Sequence, residues 1–351
     1  MRKALLVTIL LSCLAALSDP AVHAQDDMYV VGYYPAWVKN SFPAERVDFK
    51  ILTHIIHAFA WPEKDGTIAV WKDFHYPELI EATHKAGRKI SVAFGGWGNC
   101  EGFPPVAADP KLRAAFIKNA LEFCDTYGYD GIDLDWEFPA SPKERDDLTT
   151  LVSDLRKAIS AHKRPLLITM AISAGSWSAD HNDYAALNGL VDWYNNMTYD
   201  FYGTWSNRAG HNAPLYASQE SVDASMRFLM RRQKVPAEKL ALGVPFYGRR
   251  FKAKSLYGPS TGGDGITYKN IVPLFAETGW VRLFDDVSMS PYIKNDRSGE
   301  MVFFDDPESI ARKCQYAREQ GFRGVMIWSL GSDDVNGRQE LLEAIGTGLK
   351  K

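Results

Sequence analysis

The chain has 351 residues, 46% hydrophobic and 24% charged, with a formal net charge of −3. That is ordinary globular composition, with length for one large core or two modest ones. Near neutrality gives no electrostatic reason to expect a nucleic-acid or anionic-membrane partner.

Residues 1–24 read as a targeting segment. Arg2-Lys3 make a basic start, Ala4 to Ser18 are nearly all apolar or small, and Val22-His23-Ala24 gives a small-residue cleavage pattern before Gln25. The apolar run is too short for a membrane anchor. The expectation is a secreted chain, extracellular or periplasmic, that starts near Gln25; a lipid anchor at Cys13 is the lesser alternative. Cys100, Cys124 and Cys314 then remain. An odd count without regular spacing is no disulfide framework, and Cys124 and Cys314 fall in helix-like stretches as expected core residues.

Short β-like runs alternate with helix-like ones. Met28 to Tyr34 reads as the first strand and Ile51 to Trp61 as the second, with His54 and His57 as core histidines. Pro77 to Ala86 is helix-like and stops at Gly87. Arg88 to Phe94 is the third strand, closing on Gly95-Gly96-Trp97-Gly98. Asp109 caps a helix to Tyr127 that Gly128 ends. Asp130 to Glu137 is the fourth strand, and Ser141 to Ala161 the next helix. Leu166 to Ile172 is the fifth strand, and Leu190 to Tyr199 contains the sixth. Tyr216 to Arg232 is helical, Leu240 to Tyr247 is the seventh strand, Asp306 to Gln320 a helix, and Gly324 to Leu330 the eighth strand. Asn196-Met197-Thr198 fits a glycosylation sequon but lies in an apolar strand-like run, so Asn196 is expected to be buried.

Eight strands with intervening helices predict an α/β fold, the (β/α)8 TIM barrel. A doubly wound sheet would more often carry a Gly-rich turn after its first strand, where this chain has Tyr34-Pro35-Ala36-Trp37. The seventh and eighth strands are much farther apart than one βα unit requires. The excess, about Arg250 to Met301, is expected to form a small α+β insertion on the top rim, one wall of a groove.

The fourth strand carries the chemistry. With a period of two, Asp133, Asp135 and Glu137 share one face while Ile132, Leu134 and Trp136 share the other. Same-face neighbours stand about 6.5–7 Å apart, so the carboxylates repel and at least one pKa rises. Asp130, off that face, reads as a structural acid at the strand start. Barrel enzymes build their sites at the C-terminal strand ends. There the chain places Tyr33, Tyr34, Trp37, Gly95, Gly96, Trp97, Met170, Met197, Tyr199, Asp200, Tyr202, Tyr247, Arg249 and Trp328. Acids, phenols and indoles of this kind suit a ligand with flat apolar faces and many hydroxyls, a sugar chain.

Asp130-x-x-Asp133-x-Asp135-x-Glu137 resembles the signature of glycoside hydrolase family 18, the chitinases. Gly32-Tyr33-Tyr34, Ala58-Phe59, Phe94-Gly95-Gly96-Trp97, Met197-Thr198-Tyr199-Asp200, Pro245-Phe246-Tyr247-Gly248-Arg249 and Gly324-Val325-Met326-Ile327-Trp328-Ser329 are similar to the family's other strand ends, in its order. The resemblance implies a substrate-assisted hydrolase. Glu137 would be the general acid and then base, and Asp135 would hold the acetamido N–H. Asp133 would share a proton with Asp135, and Tyr199 would bond the acetamido oxygen. Tyr33, Phe59, Trp97, Met197, Asp200, Tyr247, Arg249 and Trp328 would line the sugar site. Chitin or N-acetylglucosamine oligosaccharides are the expected partners, with no nucleic acid, no membrane, no cofactor, no metal, and a monomeric chain.

One departure stands out. Where members of the family commonly carry a Ser that donates to the inner Asp, this chain has Ala93, and Ser91 lies one step lower on the same face. Tyr33 or water is left to supply the donor, so lower activity or a shifted pH optimum is expected. Three other readings compete: a non-catalytic sugar-binding protein on the same fold, a metal enzyme using the three acids as oxygen ligands, and an endoglycosidase acting on other N-acetylglucosamine linkages.

Overall fold

The computed structural model describes residues 28–350 except 176, 177, 179, 218 and 219. The expected leader, its cleavage point and Cys13 lie outside these residues. Eight strands are buried on both faces, which is why they read as nearly unbroken apolar runs. They are β1 (Tyr29–Pro35), β2 (His54–Pro62), β4 (Lys89–Gly95), β5 (Gly131–Asp135), β6 (Leu167–Ser173), β7 (Trp193–Met197), β8 (Leu240–Pro245) and β14 (Gly324–Trp328). The order is β1-β14-β8-β7-β6-β5-β4-β2, all parallel, and β1 pairs with β2 to close the ring. A short β3 (Ile68–Val70) folds back antiparallel on the outer end of β2. This is the (β/α)8 barrel that the sequence predicts.

The two strand faces do different work. Ile132, Leu134, Ile168, Met170 and Ile172 point outward and join Phe116, Leu148, Leu151 and Leu155 of the helices Pro110–Tyr127 and Pro142–Ser160 in the main core. Each such side chain contributes about 1.5–3 kcal/mol on burial. The inward face holds a second apolar cluster that includes Val31, Tyr33, Ile56, Phe59, Ala93, Trp193 and Met326. Met170 therefore belongs to the helix-facing layer and not to the ring of strand ends. The period of two puts Thr169 inside in its place.

Helix boundaries follow their caps. Asp109 accepts from the N–H of Lys111 and Leu112, Ser141 from Glu144, and Asp306 forms a capping box with Ser309. Gly128 and Gly321 end helices in the left-handed region, at φ +83° and +69°. The helix expected from Tyr216 starts later, as Val222–Arg231, because Ser221 is its cap. The helices Phe103–Ala108 and Glu340–Gly348, and β3, lie outside the sequence expectations. In the first of them Pro104-Pro105 reads as a breaker, yet the first helical turn tolerates proline.

The insertion is mostly β. β9 (Tyr247–Ala253), β10 (Ser260–Thr267), β11 (Trp280–Asp285), β12 (Ser290–Asn295) and β13 (Glu300–Phe303) form one antiparallel sheet in the order β10-β9-β13-β12-β11. A short α-helix, Tyr268–Ile271, follows β10 and runs on into a 3-10 turn, Val272–Ala276. The sheet begins at Tyr247, not Arg250: the barrel strand ends at Pro245, and Tyr247 already pairs with Thr267. Phe251, Met301 and Phe303 are its buried core.

The other residues singled out in the sequence have definite places. Asn196 is buried, its amide donating to Ser225 Oγ at 2.9 Å. His57 is buried, stacked on Phe74 and bonded to Tyr129. Cys124 and Cys314 are buried free thiols. Asp130 ties its strand to β4, accepting from the Ile90 N–H and from Lys89.

Candidate active site

Register sets the site. Along β4, β5 and β6, Ala93, Asp133 and Thr169 form one row across the barrel wall. Ser91 and Gly131 lie one row below, and Gly95 and Asp135 one row above. Two glycines are obligatory. Gly95 sits at φ +115°, and a Cβ there would reach 2.1 Å from the Asp135 carbonyl oxygen. A Cβ on Gly96, at φ +87°, would run into the Phe59 ring at 2.7 Å. The chain therefore turns out of β4 directly over the acids.

The three acids occupy three environments. Asp133, at the bottom, is fully buried and takes three donors: Tyr33 OH at 2.7 Å, Thr169 Oγ1 at 2.5 Å and Asn195 Nδ2 at 3.2 Å. Trp193 Nε1 holds Asn195 in turn, at 3.0 Å from its Oδ1. Burial outweighs these donors and pushes Asp133 up to about 6. Tyr33 supplies the donor that Ala93 lacks, as expected, and Thr169 of β6 and Asn195 of β7 add two that were not expected.

Asp135 is the carboxylate left open. It is 3% exposed, and its Oδ1 has no hydrogen-bond partner among the described residues. Burial, then the charges of Glu137 and Asp133, hold its carboxyl well above the ordinary range. Glu137, at the outer end, is half-buried. Burial and the charge of Asp200 push it up to about 7, against a hydrogen bond from the Trp97 backbone N–H. The group thus shares fewer charges than carboxyls near neutrality.

The rim adds phenols and one cation. Asp200 sits at φ +61°, and its Oδ1 accepts from Tyr247 OH at 2.6 Å and from Arg249 Nε at 3.0 Å. Asn212 braces this turn, accepting from the Asp200 N–H and donating to the Tyr247 carbonyl. Burial and the nearby acids push the Tyr199 phenol far up, so it is a donor at all working pH. Met197 and Tyr199 pack on the barrel-interior cluster.

Aromatic rings continue the groove outward. Trp328 stacks on Phe59 at 5.7 Å and meets Tyr33 edge-on at 5.7 Å. Trp37 follows at 6.4 Å, and Trp71 lies 5.1 Å beyond it. Trp97 is 80% exposed, its ring free while its backbone serves Glu137. Trp205 is 62% exposed and lies over the Arg249 guanidinium.

All twelve sequence-predicted site residues come to this one end of the barrel. Sequence reasoning missed Thr169, Asn195, Trp193, Asn212, Trp71, Trp205 and Cys100. Cys100 accepts from the Glu137 N–H at 3.2 Å, and its thiol lies 3.3 Å from the Asp135 carbonyl. Burial pushes that thiol up to about 12, so it is neutral. Thr169 and Asn195 had a signal: each is a polar residue at an inward position of an apolar strand.

A carboxyl that keeps its proton near neutrality, beside others that carry charge, is what cleavage of a glycosidic bond requires. The class defined by this barrel and this site is that of the glycoside hydrolases. The chain belongs to the glycosyl hydrolases family 18, whose family model matches residues 29–333. It is 32% identical to Chitotriosidase-1 of Mus musculus over 329 residues, 84% of this chain and 70% of that one. Among solved structures, the Group IV chitinase of Ostrinia furnacalis in complex with allosamidin is similar at a TM-score of 0.86. Identity there is 29%, over 92% of this chain and 99% of the other. A family 18 chitinase from Cycas revoluta in complex with (GlcNAc)3 is similar at 0.84, with 25% identity over 92% of this chain and 100% of that one.

Proposed function

We propose that the protein is a chitinase that hydrolyses β-1,4 links between N-acetylglucosamine units, with retention and with the substrate's own acetamido group as nucleophile. The observation that carries this reading is the unpartnered Oδ1 of buried Asp135. A buried acceptor without a donor costs about 1–3 kcal/mol, and an acetamido N–H would satisfy it. Position supports the same reading. Asp135 ends β5 and Glu137 lies two residues past that end, close enough for its charge to raise the Asp135 carboxyl, so one stretch of chain carries both the group that would hold the acetamido and the acid. The relatives named for chitin chemistry, and the (GlcNAc)3 complex of one structural neighbour, support the substrate class.

In the first step Glu137 gives its proton to the glycosidic oxygen as that bond to C1 breaks. The acetamido oxygen attacks C1 and forms an oxazolinium ring. Asp135 accepts the acetamido N–H and faces the positive charge; Tyr199 donates to the acetamido oxygen. In the second step Glu137, now a carboxylate, takes a proton from water as the water oxygen attacks C1 and reopens the ring. Two inversions retain configuration. Trp328 floors the reacting sugar, with Tyr33, Phe59 and Met197 beneath. Trp97 stacks on the leaving side, and Asp200, held by Tyr247 and Arg249, meets sugar hydroxyls.

Turnover of a fluorogenic chitobioside, with the β-anomer as first product by NMR, tests this reading. Release of the α-anomer would contradict it, and cleavage of N-glycan cores but not of chitin oligomers would move the substrate to the endoglycosidase class. The leader supports export; N-terminal sequencing of the exported chain from Gln25 tests that separately.

A further inference from the structure

The inner aspartate sits between two strands that treat it differently. On its β4 side the row offers only the methyl of Ala93, which is buried in the barrel interior. On its β6 side the row offers the hydroxyl of Thr169, which is buried and donates to Asp133 Oδ1 at 2.5 Å. The other donors reach Asp133 from further round the ring: Tyr33 from β1 and Asn195 from β7. Asn195 Nδ2 is shared with Tyr33 OH at 3.3 Å, and its 3.2 Å bond to Asp133 is the longest of the three. Thr169 is thus the short donor on the oxygen that Tyr33 does not reach.

We infer that Thr169 is a positioning residue for the reaction: its hydroxyl, given from β6, fixes Asp133 as an anion beneath the reacting sugar. This rests on the chitinase reading above. A neutral sugar in the ground state gains little from a charge two rows down. The positively charged intermediate, and the transition state before it, gain from that charge through a water-poor interior. A donor that stabilises the anion therefore acts on kcat and leaves substrate binding nearly alone. The titratable groups that face Asp133 are Tyr33 from β1, Asp135 from its own strand and Tyr199 beyond β7, with Glu137 past the strand end acting on Asp135. The carboxyls only gain negative charge as pH rises, and the Tyr33 phenol, which stays neutral, donates to the other oxygen, Oδ2.

The test is the isosteric variant Thr169→Val, which removes the hydroxyl and keeps the shape. Assayed on chitin oligomers across pH, it is expected to lower kcat about tenfold, the factor set by one hydrogen bond to a charged group, with KM within about twofold. The acid limb of kcat should move up by about one pH unit, because Asp133 then holds its proton longer. Thr169→Ser, which restores a hydroxyl at the same place, should recover most of the loss. Ala93→Ser added to Thr169→Val should recover part of it, since that position faces the same carboxylate from the other side. A second readout needs no substrate. Thr169→Val should lower the melting temperature more at pH 8, where Asp133 is ionised, than at pH 4.5, where it is protonated. Equal melting losses at both pH values would mean packing alone and overturn the inference, as would a Thr169→Val kcat profile that overlays the parent. If the parent does not cleave chitin oligomers, the chitinase reading fails; a pH-dependent melting loss would still show Thr169 holding the anion.

Discussion

Two of the places where this molecule buries a carboxylate treat it in opposite ways. At the start of the helix Pro307–Gln320, Asp305 meets Lys313, with Nζ at 2.7 Å from both carboxylate oxygens and neither side chain more than 1% exposed. Ser309 donates to Asp305 as well. That charge is closed: a counter-ion and donors stand in place before any ligand arrives. At the end of β5, Asp135 is nearly as buried and lies between two more carboxyls, and among the described residues it has no counter-ion and its Oδ1 has no partner. The closed pair serves the fold, since desolvation is offset within the chain. In the proposed mechanism the open acid trades stability for readiness to meet a donor and a positive charge that substrate would bring.

The largest effects come from breaking each side. Glu137→Gln removes the proton on which the first step depends and should lower kcat by about 10²–10⁴-fold, with substrate binding retained; tryptophan fluorescence titration with a chitin oligomer separates the two. Lys313→Ala strands a buried charge and should cost about 3–5 kcal/mol, read by denaturant unfolding, while kcat per folded molecule stays at the parent value.

A smaller effect sharpens the comparison and has a definite sign. Asp133 is pushed up to about 6 and Glu137 to about 7, with Asp135 also raised. A carboxyl whose folded pKa exceeds its unfolded one binds more protons when folded, so its contribution is full below about pH 4 and is lost as pH rises through the folded value. Glu137→Gln and Asp135→Asn should therefore be more stable than the parent at pH 8, by about 1–3 kcal/mol, and nearly equal to it at pH 4. Thermal melts at the two pH values check this; a variant gain of the same size at both would contradict it. The same Glu137 value places the alkaline fall of activity near neutrality, since the acid must carry its proton.

The smallest effect concerns Cys100. Its sulfur receives the Glu137 N–H and bridges to the Asp135 carbonyl. Cys100→Ser keeps both partners and should change kcat less than about threefold, whereas Cys100→Ala leaves the amide without its acceptor and should cost about 1 kcal/mol. Steady-state rates on one oligomer distinguish them.

Much of this was legible in the chain. The alternation in Asp133-Leu134-Asp135-Trp136-Glu137 fixes which carboxyls face inward, because a strand has a period of two. Apolar runs that end on Tyr33, Gly95-Gly96, Tyr199 and Trp328 place the barrel's working end. What stayed hidden depends on register between strands, which a single sequence does not encode. Thr169 is beside Asp133 because β5 and β6 pair as they do, and a shift of one residue would have brought Met170 there instead. The deficit at Ala93 is visible along one strand and Tyr33 could be named as a substitute donor, but Thr169 and Asn195 are found only across the strands. The barrel and its insertion part company at Pro245, before the Tyr-Gly-Arg turn, since Tyr247 to Arg249 pair with β10.

The central claim is that Asp135 waits for an acetamido group that then attacks its own sugar. The most direct measurement compares kcat/KM for one N-acetylglucosamine oligomer with that for the same oligomer bearing a free amine on the sugar at the cut bond. The account predicts that the intact oligomer is cleaved and the deacetylated one is not, a difference of at least about 10³-fold; comparable rates on the two would contradict it.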